Sequence, residues 1–381
     1  MWFAAATISL LLWLYLWGFR DGYWRADQRL TEEPAPARWP SVTAVIPARD
    51  EAESIGPVIK SHMASDYPGE FNLILVDDHS ADATAAIAAD SAQAGPRPFE
   101  IIDAEPLPAG WTGKLWALQT GVNAACRDLK PDYLLLTDAD IVHAPSTLRR
   151  LVGKASDETL ALTSLMARLD ARGFWGSMLA PAFIYFFQKL YPFPAANDHW
   201  GSVAAAAGGC MLVRRSSLED SGGLEAIRGE LIDDCALARQ IKGRSERRIW
   251  LGLADTEATS LRDNRSLSSF WHMVARTAFT QLDYSVWALF GTVLSMGLIY
   301  LAPPLAVIGI PVHGDLRAAL AGVGAMALMM LTYRPTLALY GRNVSAALLL
   351  PLAAVLYILM TASSAWRHMR GRGGQWKGRK Y

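Results

Sequence analysis

The chain is poor in charge and in cysteine, and each shortage excludes something. Charged residues make up 19 % of its 381 residues, and 36 Lys+Arg balance 36 Asp+Glu. Zero net charge removes the electrostatic argument for nucleic acid, although a local basic patch can still exist. The three cysteines, Cys126, Cys210 and Cys235, have no metal-ligand spacing. A sparse, odd set argues against a disulfide framework and suits a reducing compartment. No GxGxxG or GxxxxGK[ST] loop follows the first strand-like run, so phosphate is not cradled by a glycine-rich turn. No His pair stands at i, i+4, which argues against His79, His199 and His272 as metal ligands.

What is abundant is apolar: 52 % of the residues, clustered in runs. Trp2–Phe19 carries no charge and approaches a bilayer span in length. Arg20, Arg25 and Arg29 follow it, whereas a cleaved signal peptide carries its charges first. Residues 1–20 therefore read as an uncleaved anchor with its C-terminal side in the cytoplasm. Three further candidates lie within 286–366: Val286–Val312, Ala318–Tyr333 and Val344–Trp366. Pro303 and Pro304 are expected to kink or split the first of these. The tail, 367–381, holds six Lys/Arg and no acid, which the positive-inside rule places in the cytoplasm. Three crossings after the anchor would put it outside. A re-entrant hairpin at the prolines, or failure of 318–333 to cross, would reconcile the two. The shorter run Phe174–Phe187 contains Pro181 and reads as an interfacial element facing lipid, with a core helix as the alternative.

Between the spans, 21–40 reads as a linker and 41–285 as one cytoplasmic domain. Ser41–Pro47, Phe71–Val76 and Tyr133–Thr137 are strand-like. Glu51–Ala64, Ala83–Ala94 and Leu115–Cys126 are helix-like. This βαβαβ order predicts an α/β fold with a parallel sheet and right-handed crossovers, its ligand outside the carboxyl ends of the strands. Acids stand at those ends: Asp50 and Glu51, then Asp77 and Asp78, then Asp138 and Asp140. Carboxylates can hold an anionic diphosphate only through a cation, and Asp-x-Asp suits Mg²⁺ or Mn²⁺. Taken singly, each pair is more often a turn or a helix cap.

The motifs resemble family 2 glycosyltransferases of the GT-A fold, from about Val42 to about Leu251. Residues 45–55 (VIPARDEAESI) are similar to that family's "IPARNE" start, with Asp50 where Asn is usual. Residues 76–84 (VDDHSADAT) resemble "VDDGSTDGT". Residues 113–121 (GKLWALQTG) resemble "GKAxALNxG", and 137–140 (TDAD) the DxD. Residues 208–213 (GGCMLV) resemble the acceptor-side glycine strand. Residues 231–238 (LIDDCALA) resemble "EDxxLA", with Asp233 replacing Glu. More narrowly, the anchor, WTGKLWA and the closing WKGRKY are similar to glycosyltransferases associated with hopanoid biosynthesis.

The resemblance implies a GT-A, Rossmann-like, mostly parallel sheet flanked by helices, with transmembrane helices at both ends. It implies donor contacts from Pro47, Glu51, Asp77, Asp78, Lys114 and Asp138. Asp140, with Asp138, would hold Mg²⁺ or Mn²⁺, and Asp234 would be the general base. Gly209, Cys210, Asp233, Trp271, His272 and Arg276 would lie on the acceptor side. Of the usual QxxRW, residues 273–277 (MVART) keep only Arg276, which argues against processive synthesis. The implied activity is inverting transfer from a nucleotide-diphosphate sugar to a lipid. Hopanoid, polyprenyl phosphate and glycerolipid all remain open as acceptors. The expected setting is multi-pass in the bacterial inner (cytoplasmic) membrane, with pathway enzymes as further partners and no nucleic acid. A polyprenyl-phosphate acceptor would need a cationic pocket, for which Arg244, Arg247 and Arg248 are the local cluster. A non-catalytic scaffold would not need the carboxylates. Without the resemblance, Asp233 and Asp234 read as helix-start acids, Lys114 as a surface lysine and Cys210 and Cys235 as small core residues.

Overall fold

The protein is described from a computed structural model. It covers residues 1–93, 95–371, 373, 375–376 and 379–380, with the side chains of 375, 376, 379 and 380 left out. Most of the basic tail therefore lies outside the described residues, as does Ala94 at the end of an expected helix. The chain divides into two compact units.

One unit holds residues 27–170 and 195–262. Its strands are β1 (Val42–Ala48), β2 (Phe71–Asp77), β3 (Phe99–Asp103), β4 (Tyr133–Thr137), β5 (Ile141–His143), β6 (Leu162–Met166), β7 (Cys210–Arg214), β8 (Ile249–Leu253) and β9 (Ala258–Ser260). Seven form one sheet in the order β3-β2-β1-β4-β7-β6-β8. β1, β2, β3 and β4 run parallel, β6 and β8 run parallel, and β7 is reversed between β4 and β6. β5 and β9 pair separately as a short antiparallel ladder.

Alternation along the strands makes two cores. Val42, Ala44 and Ile46 of β1 face helices Ile55–Met63 and Thr147–Asp157; Val45, with Ile74 and Val76 of β2, faces helices Gly113–Ala124 and Asp233–Arg244. Both faces are covered, so the strands read as continuous apolar runs. Gly121 lets its helix lie flat on the sheet. A Cβ there would come within 2.4 Å of Val45 and 2.8 Å of Val76. Asp50 and His79 adopt left-handed backbone, with φ 51° and 56°. The first explains why the resembling family prefers Asn there. The second is a glycine position in that family, occupied here by a histidine.

The other unit gathers residues 1–26, 171–194 and 263–375, so two stretches read from the sequence as part of the 41–285 domain cluster here. Four helical segments among the described residues are long and apolar enough to cross a membrane: Trp2–Phe19, Val286–Ile308, Leu316–Leu339 and Val344–Met369. The prolines neither split the second of these nor turn it back. The helix passes through a π-turn at Gly297–Leu301 and continues to Ile308. Pro303 has no N–H for the carbonyl of Ile299 four residues earlier. Trp13 supplies the missing donor, its Nε1 lying 2.9 Å from that oxygen. The run at 174–187 lies within helix Gly173–Leu190, whose Leu179, Ala182, Ile184 and Tyr185 are buried. Tyr185 Oη meets Tyr23 Oη at 2.9 Å and Thr332 Oγ1 at 2.8 Å. It is a core helix of this unit, and the lipid-facing reading gives way. Polar groups on three segments anchor it.

Candidate active site

The parallel strands end at one edge of the sheet, and their carboxylates gather there. Asp77 and Asp78 close β2; both are buried. Ser80 donates to Asp77 Oδ1 from its N–H at 3.0 Å and from its hydroxyl at 2.5 Å. Arg49 Nη1 donates to the carbonyl of Asp78 at 2.6 Å and lies 3.4 Å from its carboxylate. Glu51 follows β1, its N–H paired with Thr84 Oγ1 at 2.8 Å and its carboxylate accepting from Ser54 at 3.1 Å. Pro47 sits within β1 opposite Val76. These are groups that the sequence reading assigned to a donor.

β4 delivers Asp138 and Asp140. The reversed β7 brings its start beside β4's end, pairing Cys210 with Thr137. Gly208 and Gly209 therefore lie next to the Asp-x-Asp turn. Thr137 Oγ1 donates to the Gly209 carbonyl at 2.8 Å and meets His143 Nε2 at 3.0 Å. Across this joint comes helix Asp233–Arg244. Asp234 accepts from Gly208 N–H at 2.9 Å and from Cys235 N–H at 2.7 Å. Asp233 and Asp234 are the first residues of the helix, and the N-cap position is Ile232, which offers no side-chain cap. Their charge complements the helix dipole, but Asp234 also reaches across to another element, beyond any helix-start role.

Lys114 joins the two halves. Its Nζ lies 2.9 Å from Asp138 Oδ1 and 3.1 Å from Asp233 Oδ2, with about a fifth of the side chain exposed. Burial opposes its charge, but Asp138, Asp233 and Asp234 outweigh burial and hold the ammonium above the ordinary lysine range. Burial and the neighbouring Asp233 push the Asp234 carboxyl up to about 6, against Lys114 and its two N–H donors. Asp140 is also raised, chiefly by burial. Asp138 and Glu51 add to that, and Arg262 opposes it. Arg262 Nη2 lies 3.1 Å from Asp140 Oδ2.

Arg262 was invisible in the sequence, since it stands in an unremarkable loop 122 residues beyond Asp140. The pairing of β5 with β9, which sets Ile141 opposite Ser260, and the tie between Leu261 N–H and the Asp140 carbonyl at 2.7 Å bring it there. Gly208, which opens the glycine strand read from the sequence, lies against Lys114 and Asp234. A Cβ on it would lie 3.3 Å from Lys114 Nζ and 3.4 Å from Asp234 Oδ2. Gly208→Ala is therefore expected to lower turnover about tenfold, roughly 1.4 kcal/mol of barrier, while the melting temperature hardly moves. Unaltered turnover would return Gly208 to a plain bend.

Cys210 does not face the cleft. It is fully buried in the β4–β7 core, and burial pushes its thiol up to about 12, so it is inert. Gly209 packs on Ile141. Trp271, His272 and Arg276 lie on helix Leu267–Thr277 of the other unit. There Trp271 Nε1 donates to Ser363 Oγ at 3.1 Å, and His272 Nδ1 lies 2.8 Å from the Ser268 carbonyl.

Carboxylates that repel one another suit a cation. Among the described residues no group of three or more His, Cys, Asp or Glu surrounds one point. A Mg²⁺ or Mn²⁺ taking one or two carboxylates and completing its shell with substrate phosphate and water fits Asp138 and Asp140.

A mostly parallel α/β sheet with an Asp-x-Asp at one strand end and an acid-led helix beside it defines a GT-A glycosyltransferase. The sequence pattern of glycosyl transferase family 21 matches residues 5–381, and the chain belongs to that family; its motifs had pointed to family 2. An N-acetylglucosaminyltransferase of Mesorhizobium japonicum is 28 % identical over 189 residues, 49 % of this chain and 42 % of that relative. An undecaprenyl-phosphate 4-deoxy-4-formamido-L-arabinose transferase of Edwardsiella ictaluri is 31 % identical over 136 residues, 35 % of this chain and 39 % of its own. This chain thus spans about two fifths of the length of these relatives. A solved mannosyltransferase from Pyrobaculum calidifontis, in complex with GDP-Man and Mn²⁺, superposes with a TM-score of 0.54 at 18 % identity. The match covers 94 % of this chain and 99 % of that one, and it shows the shared fold.

Proposed function

We propose that the protein is a membrane-bound inverting glycosyltransferase. It moves a sugar from a nucleotide-diphosphate donor to the hydroxyl of a lipid, on the cytoplasmic face of a bacterial inner membrane. The observation that carries this reading is Asp234, a half-buried carboxylate fixed by two N–H donors and pushed up to about 6. A base with a pKa near the working pH combines availability with driving force. Asp234 takes the proton of the acceptor hydroxyl as its oxygen bonds to the anomeric carbon. The bond from that carbon to the diphosphate breaks on the opposite side, which inverts the centre. Asp77, Asp78 and Glu51 hold the nucleoside end. Lys114 keeps Asp138, Asp233 and Asp234 in register. Bound at Asp138 and Asp140, a divalent cation would supply Lewis-acid stabilisation of the departing diphosphate.

Four candidate spans support a lipid acceptor. The similarity of the WTGKLWA segment and its neighbours to hopanoid-associated transferases favours a hopanoid-related one. A polyprenyl phosphate is less well served by the expected arginine cluster. Arg244 donates to the Ser221 carbonyl at 2.8 Å and Arg248 to Glu158 at 3.2 Å. The cluster also begins at the far end of the helix that Asp233 opens, about 16 Å away at 1.5 Å per residue. A scaffold has no use for a tuned Asp234.

The test is binding of a panel of nucleoside diphosphates to the detergent-purified chain, with Mn²⁺ and with chelator. One nucleotide should bind in a metal-dependent way, and Asp140→Ala should abolish that dependence. Metal-independent affinity that Asp140→Ala leaves unchanged would remove Asp140 from the metal site. No binding by the folded chain would favour the scaffold.

A further inference from the structure

We propose a second, separate binding site, for a lipid phosphate, built from Arg20 and Lys189 in the helical unit. Arg20 directly follows the candidate span Trp2–Phe19, so it stands at the level of the headgroups. Tyr15, Trp17 and Phe19 are exposed just before it, in the manner of an interfacial aromatic belt. Lys189 is near the C-terminal end of helix Gly173–Leu190, and Arg20 Nη2 lies 3.3 Å from the Lys189 carbonyl and 3.5 Å from that of Leu190. The fold thus ties the Arg20 guanidinium to the backbone of the helix end that carries Lys189.

Among the described residues no acidic side chain answers the charge of Arg20 or Lys189. Lys189 Nζ donates to Tyr300 Oη at 3.2 Å and lies 4.8 Å from the centre of that ring. Tyr300 is fully buried. Among the described residues no carboxylate makes an ion pair with either cation, and the charged group that acts on Lys189 is Arg20 itself. The helix C-terminus supplies about half a negative charge. A net positive charge is left over. Partly buried charges are ordinarily paired, so the missing partner is an external anion. At headgroup depth the anion at hand is phosphate, and anionic headgroups are held in this way by basic pockets between membrane helices. The site does not depend on the transferase reading.

The experiment is thermal unfolding of the full chain in neutral detergent. The probes are dihexanoyl phosphatidic acid, dihexanoyl phosphatidylcholine and inorganic phosphate. Phosphatidic acid should raise the melting temperature by about 2 °C or more, as a ligand of the folded state does. Lys189→Met should abolish that rise. Without any anion it should also melt higher than the wild type, because an unpaired charge has gone. Arg20→Gln should weaken the response, and Arg317→Gln should keep it. A response to phosphatidic acid but not to inorganic phosphate identifies a headgroup site; an equal response to both identifies a site for free phosphate. The proposal is overturned if phosphatidic acid has no effect beyond that of phosphatidylcholine, or if Lys189→Met and Arg20→Gln both keep the response. It is also overturned if Lys189→Met melts lower in the absence of anion, since the ammonium would then be part of the packing.

Discussion

Asp234→Asn is expected to leave nucleotide affinity intact and to lower turnover by about two to four decades, the usual worth of a general base. The substitution keeps an oxygen that can accept from Gly208 N–H, so the joint between helix Asp233–Arg244 and β7 survives. The pH dependence follows from the carboxyl pushed up to about 6. The base works when deprotonated, so wild-type turnover should fall about tenfold per pH unit below 6 and level off above it. The stability linkage has the opposite sign. A carboxyl raised above its unfolded value of about 3.9 destabilises the fold where it is charged, above about pH 6. That penalty fades as the pH falls through 6 towards 4. Asp234→Asn should therefore melt higher than the wild type at pH 8, and the difference should close near pH 4. Near-normal turnover in Asp234→Asn would leave the residue with a structural role alone, at the helix start and across to Gly208.

How much of this was legible beforehand depends on where each signal lay. β1, β2 and β4 were readable as apolar runs because both faces of the sheet are covered. β4 matches its expected range, β1 is shifted by one residue at each end, and β2 runs one residue longer. The helix expected from Glu51 starts only at Ile55, because the left-handed Asp50 begins a turn first. β3 escaped notice because it is the sheet's edge strand and only partly buried. β6, β8 and the reversal of β7 were hidden for another reason. No local pattern states which strand lies beside which, and that pairing alone sets Gly208 next to Asp138. The carboxylates were found because their chemistry is printed in the motifs. The pairing of Arg262 with Asp140 and that of Lys114 with Asp233 were not, since a salt partner more than a hundred residues away leaves no mark on periodicity. The helix at 173–190 was misread as lipid-facing because apolar runs look alike whether they meet lipid or protein. What distinguishes it, the hydroxyl pairing of Tyr185 with Tyr23 and Thr332, exists only after folding.

Lys114→Met should have the widest consequences, because one ammonium serves three carboxylates. Methionine keeps most of the stem's packing and removes only the charge. Asp138 and Asp233 then face each other without the cation that now lies 2.9 Å and 3.1 Å from them. Breaking a buried ion pair from one side costs about 3–5 kcal/mol. With about a fifth of the lysine exposed, a loss of about 2–3 kcal/mol at pH 7.5 is expected in urea unfolding. Much of that loss should be recovered at pH 5, where the raised carboxyls take up protons. The kinetic signature is separate. Lys114 holds the Asp234 carboxyl down against burial and Asp233. Without it that carboxyl rises, so the acid limb of the pH–rate profile should move to higher pH by about one unit, 1.36 kcal/mol of lost interaction. A merely structural lysine would lower stability and leave that limb in place. An unmoved limb in a folded Lys114→Met enzyme would thus separate Lys114 from the base while leaving Asp234 in its role. Movement of the limb, with nucleotide affinity retained, would identify Lys114 as the group that keeps the base charged at the pH at which the enzyme works.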